Sequence, residues 1–393
     1  MTTFNHSGSL FCLRRTSKTS PYYLDKGRGG KEEDVDEFHQ PGHVIGIIWN
    51  ISEMSGNERT NCSATSPLAR WYLDVRPLTY SSTAAAERLP FIETLHPGDQ
   101  ETVKRFYHLK DKHMSLASYL LKYLFIHRAC RIPWAEIRLS RTPAPHGRPC
   151  FAPPWDDGLK VEFNVSHQAS LVALAGTVFY SMPTSPLPRR QQPQVGIDIT
   201  CVDEATSRGR KEITTAAALA YYVDIFAEVF SPRELATIKR VASSHQQQQR
   251  GVESALRLFY TYWALKEAYI KLTGEALLAP WLRELEFTDV QVPEKAAGHD
   301  GLLGRPYTGT QTWLYGKKVQ GLRIEVQGFE DDYLIATAAR GAGMGIDNND
   351  EGLDLWKDLE AVDIERDIAL CATGRCCCLS EESIERRLST TAI

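Results

Sequence analysis

Three short segments carry side chains able to do chemistry together. In Val195-Gly196-Ile197-Asp198-Ile199 a single carboxylate sits between apolar β-branched residues. On a strand it points away from them, into a cleft or into solvent, where it is a candidate ligand for a hard cation such as Mg²⁺. An isolated Gly-x-Asp also reads as a turn or capping aspartate, and taken alone that reading has the larger share. In Trp263-Ala264-Leu265-Lys266-Glu267-Ala268-Tyr269-Ile270-Lys271, residues Trp263, Glu267 and Lys271 fall on one helical stripe. An exposed Glu–Lys pair at that spacing is worth only ~0.2–0.5 kcal/mol. Trp263, with Phe259 one turn earlier, argues against full exposure. A half-buried Glu and Lys beside aromatics is costly, and is found more often where a ligand or metal neutralises it. In Phe163-Asn164-Val165-Ser166-His167, a hydroxyl and an imidazole at a strand end suit an anion such as phosphate. A nucleophilic Ser-His pair is the other possibility, although adjacent strand residues face opposite ways.

The elements that must position these groups follow from periodicity. Strands are predicted at Val44–Ile51, Trp71–Arg76, Val161–Val165, Leu171–Phe179 and Val195–Ile199, and loop at Ser52–Ser66. A helix is predicted over 111–129, with Leu116, Leu120, Leu121, Leu124 and Phe125 on one face. Further helices are predicted over 211–228, over 232–243 with Pro232 after Ser231, and from Val252 to Thr273 with Gly274 as the stop. Ser243–Arg250, with four consecutive glutamines, reads as a surface loop. Leu285–Val292, Gln311–Tyr315, Leu322–Gln327 and Tyr333–Ala339 read as antiparallel strands. Strand, long helix and strands thus occur twice, which predicts an α+β fold of two similar halves. The expected organisation is a disordered segment 1–41, an N-terminal half 42–181, a linker 182–194, a C-terminal half 195–345, and an acidic amphipathic helix with a Cys-rich tail over 346–393.

Composition narrows the classes. The 393 residues carry 45 Lys+Arg against 49 Asp+Glu, a net charge of -4, which argues against a duplex nucleic-acid binder. The most apolar run, Leu171–Tyr180, is far short of the ~20 residues of a membrane span. Residues 101–150 hold ten Lys/Arg against three Asp/Glu, whereas 351–393 hold five against ten. The basic stretch suits a local anion site or an acidic partner, or is a solvated helix face. Nine cysteines without regular spacing, and no signal peptide, fit reduced thiols and a cytoplasmic protein. The Cys376–Cys378 cluster is open to palmitoylation or metal binding, but with no partnering Cys/His set at zinc spacing it reads as a feature of the tail alone.

The three segments, together with Phe230-Ser231-Pro232-Arg233-Glu234, stand in the order found in the Sfp-type 4′-phosphopantetheinyl transferases, which this sequence resembles over roughly residues 44–340. Arg105-Phe106-Tyr107-His108 through Ser115, and Arg141-Thr142 with Gly147-Arg148-Pro149, also resemble that family's N-terminal half. The resemblance implies Mg²⁺-dependent transfer of the phosphopantetheine arm of coenzyme A to a serine of an apo acyl or peptidyl carrier protein, releasing 3′,5′-ADP. It implies a pseudo-two-fold monomer with coenzyme A in the cleft between its halves. By match, Asp198 and Glu267 hold Mg²⁺, Lys271 stabilises charge on the leaving phosphate, and Glu267 or Glu234 is the base for the carrier serine. Arg148, Ser166 and His167 are implied at the 3′-phosphate and neighbouring oxygens, with Arg141, Ser115, Lys266 and Arg105 as further coenzyme A contacts.

Two positions depart from the family pattern. Thr200 stands where many bacterial members have a second acid, so that a water is expected in its place. The family's upstream lysines align near Asp99 and Thr102, so Lys104 or Arg105 is expected to substitute. A non-catalytic coenzyme A or carrier-binding module of the same fold would lack Asp198, Glu267 or Lys271, and all three are present. Fatty-acid, polyketide, nonribosomal-peptide and aminoadipate-reductase (lysine biosynthesis) carriers all remain open.

Overall fold

The computed structural model describes residues 67–79, 89–143, 147–153, 158–181, 191–202, 213–243, 248–275, 279–294, 302–341, 344–345 and 354–379. The expectations for 1–41, for the strand Val44–Ile51, for the loop Ser52–Ser66 and for most of the linker and the glutamine run lie outside these residues. What is described is a mixed α+β structure.

A four-stranded sheet has the order β12-β1-β5-β4, formed by β1 (Leu68–Asp74), β4 (Leu159–Gln168), β5 (Leu171–Tyr180) and β12 (Trp356–Ala361). A three-stranded sheet has the order β10-β11-β6, formed by β6 (Gln194–Cys201), β10 (Leu322–Phe329) and β11 (Tyr333–Arg340). Two smaller sheets pair β2 (Ser140–Arg141) with β3 (Pro149–Cys150), and β7 (Leu285–Thr288), β8 (Gln311–Leu314) and β9 (Lys317–Lys318). The helices are α1 (Arg76–Thr79), α2 (Pro97–Lys104), α3 (Leu109–Cys130), α4 (Ala216–Asp224), α5 (Pro232–Ser243) and α6 (Gln248–Thr273).

The period-2 alternation of the strands builds the layers. On β5, Val172 and Leu174 join Leu116, Leu120, Leu124 and Phe125 of α3 in one core. Leu171, Ala173 and Ala175, on the other face, join Val195, Ile197 and Ile199 of β6 in a core shared by the two sheets. A third core sets Phe259, Trp263, Ala264 and Ala268 of α6 against Ile324, Val326 and Leu334. Each long helix therefore covers the outer face of a sheet, and the two sheets face each other. Fully buried leucines such as Leu120 and Leu124 are each worth ~1.5–3 kcal/mol relative to exposure.

Several predicted elements gain a residue or two; the strand predicted at Trp71–Arg76 is shifted to Leu68–Asp74, that at Leu285–Val292 stops at Thr288, and α6 begins at Gln248, inside the predicted loop Ser243–Arg250. The helix predicted over 211–228 is shorter, because Ile225 to Val229 continue only as turns. Gly274, at φ +76°, takes the left-handed position that ends α6. The acidic helix predicted after Gly345 is corrected over its described part. Trp356–Ala361 is a strand lying parallel to β1. Its Trp356 indole donates to Met344 O at 3.0 Å, and the Arg70 and Arg323 guanidinium groups lie 5.2 and 4.3 Å from its ring centre. These long-range contacts outweigh a local helical pattern.

Candidate active site

The two large sheets are joined where one face of β4 meets β6, and the joint is made by side chains. Glu162, Asn164, Ser166 and Gln168 sit on the β4 face that carries Ala173 and Ala175 across the hairpin. Their oxygens accept from the N–H groups of Val195 (3.3 Å), Ile197 (3.2 Å), Ile199 (3.2 Å) and Cys201 (3.0 Å). An edge strand with unpaired N–H groups is costly when buried, and here every second β4 residue supplies the missing acceptor. This alternation accounts for the polar positions of the Phe163–His167 segment.

On the opposite face of β6, Gly196, Asp198 and Thr200 look toward α6. Gly196 is required by the close approach of the helix, since a Cβ there would stand 2.0 Å from Ala268 O and 2.5 Å from Leu272 N. That approach brings Asp198 within reach of Lys271, whose Nζ donates to Asp198 Oδ1 at 2.5 Å and to Ser166 Oγ at 2.7 Å. Ser166 Oγ donates to the same Oδ1 at 3.0 Å, and Thr200 Oγ1 donates to Asp198 Oδ2 at 2.8 Å. Thr200 thus holds the first acid in place by a direct hydrogen bond. Glu267, one turn before Lys271, is 4% exposed, and its Oε1 is buried with no hydrogen-bond partner among the described residues. Burial raises its pKa to about 7; the Lys271 charge opposes this and the Asp198 charge adds to it. Two buried carboxylates, one carrying an orphaned oxygen, form the oxygen donor set that a hard divalent cation takes.

A group of basic side chains lines the α3 side. His167 is held neutral, its pKa lowered to about 4 by burial and by the Lys271 and Lys122 charges, with Asp111 of α3 opposing. Lys122 is missing from the sequence reading. Its Nζ lies 3.8 Å from the centre of the Tyr119 ring, and burial lowers its pKa to about 7. A lysine flanked by the fully buried Leu121 and Tyr123 was the available signal. The exposed Arg105 and Arg141 both act on Tyr119, and Arg141 also acts on Lys122. Ser115, half-buried, lies one turn beyond Asp111. Lys104, by contrast, is paired on its own helix with Glu101 at 3.6 Å.

Three expected site residues are placed elsewhere. Glu234 is a capping residue of α5: its Oε2 accepts from Ser231 N at 2.8 Å, and Ser231 Oγ accepts from Glu234 N at 3.2 Å. Its Oε1 accepts from Phe287 N at 2.8 Å, and Lys266 Nζ stands 2.9 Å from Oε2 with both side chains fully buried. Both Glu234 oxygens are thus engaged in a fully buried cluster, and Lys266, which also donates to Leu282 O and Leu285 O, lies inside the core. Burial pushes Glu234 up and Lys266 down, and their attraction opposes both shifts. Sequence spacing did not show that Lys266 and Glu267, adjacent on α6, face different surroundings. Arg148 donates to Glu162 Oε1 at 2.5 Å and to the carbonyls of Phe163 (2.9 Å) and Val195 (3.1 Å), so it fastens the β4–β6 joint.

Comparisons with known proteins show the family. Residues 83–179 match a family described as "4'-phosphopantetheinyl transferase, N-terminal", and residues 194–338 match the "4'-phosphopantetheinyl transferase superfamily". The chain is 55% identical over 351 residues to 4′-phosphopantetheinyl transferase A of Aspergillus fumigatus, covering 80% of this chain and 97% of the relative. It is 54% identical to 4′-phosphopantetheinyl transferase NpgA of Emericella nidulans, covering 82% and 99%. A human relative, L-aminoadipate-semialdehyde dehydrogenase-phosphopantetheinyl transferase, is 27% identical over 65% of this chain and 70% of its own.

Proposed function

The chain belongs to the 4′-phosphopantetheinyl transferase superfamily, and on that premise we propose how its own residues move the phosphopantetheine arm of coenzyme A to a carrier-protein serine. The observation that carries the assignment is the buried Glu267 Oε1, without a hydrogen-bond partner among the described residues, beside Asp198 of β6. Asp198 and Glu267 would hold Mg²⁺. When bound, the ion supplies charge neutralisation of the coenzyme A pyrophosphate. Asp198 is oriented for this by Ser166 and Lys271, which donate to Oδ1, and by Thr200, which donates to Oδ2.

Lys271 contributes an ammonium beside Asp198, positioned to stabilise charge on the leaving 3′,5′-ADP. Glu267, through a carboxylate oxygen not given to the ion, is the candidate to take the proton of the carrier serine, since Glu234 is held in the α5 cap. Neutral His167 donates a ring N–H to a phosphate oxygen, and Lys122 and Arg141 add positive charge on the α3 side. Coenzyme A would then lie in a cleft between the two sheet-and-helix halves, with Ser115 and Arg105 near its nucleotide end. Arg148 acts on this cleft by bracing its floor through Glu162.

The test is incubation of the protein with coenzyme A, Mg²⁺ and apo carrier domains, including one from an aminoadipate-reductase-type enzyme. The carrier should gain about 340 Da, the mass of the transferred arm. Loss of that gain in Asp198→Ala and Glu267→Ala is expected. Turnover near the wild-type level in either variant would overturn the metal assignment.

A further inference from the structure

The described part of the C-terminal segment returns to the N-terminal half. The last turn of α3 carries His127, and the chain beyond β12 carries Cys371, Cys376 and Cys378. A turn at Thr373 and Gly374, with Gly374 at φ +69° and Arg375 N donating to Leu370 O at 2.8 Å, folds Cys376 and Cys378 back beneath Cys371. The His127 ring nitrogen and the three Sγ atoms all lie within 4.8 Å of one another, with His127 and Cys371 buried and the other two partly so.

The details match a tetrahedral thiolate–imidazole centre. Cys371 Sγ and Cys378 Sγ are 3.8 Å apart. This is far beyond the ~2.05 Å of a disulfide between them. Two thiolates each ~2.3 Å from one tetrahedral zinc stand about 3.8 Å apart. His127 Nδ1 lies 2.7 Å from Ile132 O, a carbonyl that only accepts, so Nδ1 carries the proton. The Nε2 lone pair is thereby turned toward Cys376 Sγ at 3.1 Å. A ligating histidine held in this way by a main-chain carbonyl is the usual outer support of such a site. Arg131 donates to Cys378 O and Arg128 to Asp367 O at 3.1 Å, so the same stretch of α3 grips the segment on both sides of the cluster.

We propose that His127, Cys371, Cys376 and Cys378 form a closed four-coordinate S₃N site for a structural Zn²⁺ ion, which fastens residues 354–379 to the end of α3. Three soft sulfurs and one imidazole select zinc over Mg²⁺ or Ca²⁺, and four protein ligands leave no open position for catalysis. The ion would hold in place the segment that contributes β12 to the first sheet. The site is independent of the Asp198–Glu267 pair and of what that pair binds.

The experiment uses the full chain purified without chelator from zinc-supplemented cells. Elemental analysis should find about one zinc per chain, retained through gel filtration. After stripping, Co²⁺ should give the d–d and thiolate-to-metal absorption bands of a tetrahedral site. Cys377→Ser, changing the exposed neighbour, should keep full zinc, whereas Cys376→Ser should fall to under about a tenth of it. Because Cys376→Ser could misfold, wild-type protein is also titrated with a chromophoric chelator and should release its zinc in one step. The proposal is overturned by wild-type protein holding only trace zinc, by a Co²⁺ spectrum without thiolate bands, by equal zinc loss in Cys377→Ser, or by peptide mass spectra showing a Cys371–Cys378 disulfide.

Discussion

The protonation of Glu267 sets a measurable price on cation binding. Its pKa of about 7 means that a carboxyl group must lose a proton before it can act as a ligand. Apparent affinity then scales with the ionised fraction, about ten-elevenths at pH 8, one half at pH 7 and one-eleventh at pH 6. Mg²⁺ affinity should therefore weaken about tenfold from pH 8 to pH 6, equivalent to about 1.4 kcal/mol. Calorimetric titration in buffers of different ionisation heat should find about half a proton released per ion at pH 7 and about nine-tenths at pH 6. Lys122 also titrates near pH 7, so the measurement is repeated in Lys122→Met, which should keep the slope. The ion-free protein obeys the same linkage. With the folded pKa raised from 4.5 to about 7, protonated Glu267 stabilises the fold fully at low pH, and this contribution is lost as the pH rises from 4.5 through 7. The loss is at most about 3–4 kcal/mol, and Glu267→Gln should abolish it. Affinity that stays flat from pH 8 to pH 6, with no proton released, would refute the reasoning.

Gly196→Ala should lower the unfolding free energy by about 1–3 kcal/mol and abolish carrier modification, because its Cβ would meet Ala268 O at 2.0 Å. A normally stable Gly196→Ala protein would mean that α6 does not press on β6 as described. Glu234→Ala should cost about 3–5 kcal/mol by leaving Lys266 buried and unpaired, while a Glu234→Leu, Lys266→Met double variant recovers much of it. If Glu234→Ala instead leaves stability intact and stops only catalysis, Glu234 is a catalytic base after all. Asn164→Leu should lose about 1–3 kcal/mol, since the buried Ile197 N–H is left without its acceptor. Urea melts showing no loss would remove the side-chain ladder as the joint between sheets. His167 should stay neutral by NMR down to a pH near 4 in the free protein, and its pKa should rise when coenzyme A places phosphate beside it; titration near 6.5 in the free protein would contradict its burial.

The sequence by itself determined most of the elements and, within them, which residues share a face. The period-2 run from Glu162 to Gln168 separates the polar side chains that reach β6 from Phe163, which packs in the core with α3. The 3.6-residue period of α6 puts Glu267 and Lys271 on one stripe, and the structure sets Lys271 on Asp198. Periodicity names a face but not the neighbour that meets it, because the neighbour comes from far along the chain. Lys266 is next to Glu267 in sequence, yet packing against Glu234 and the carbonyls of Leu282 and Leu285 makes it a core residue. Arg148 is drawn to Glu162 for the same reason, and β12 forms because Trp356 finds Met344 and two guanidinium groups. His127 and Cys376 are 249 positions apart and come together only when α3 and the C-terminal segment dock. Local pattern is set by bonds between near neighbours along the chain, whereas a site is completed by contacts whose energy exists only once distant surfaces have excluded water between them.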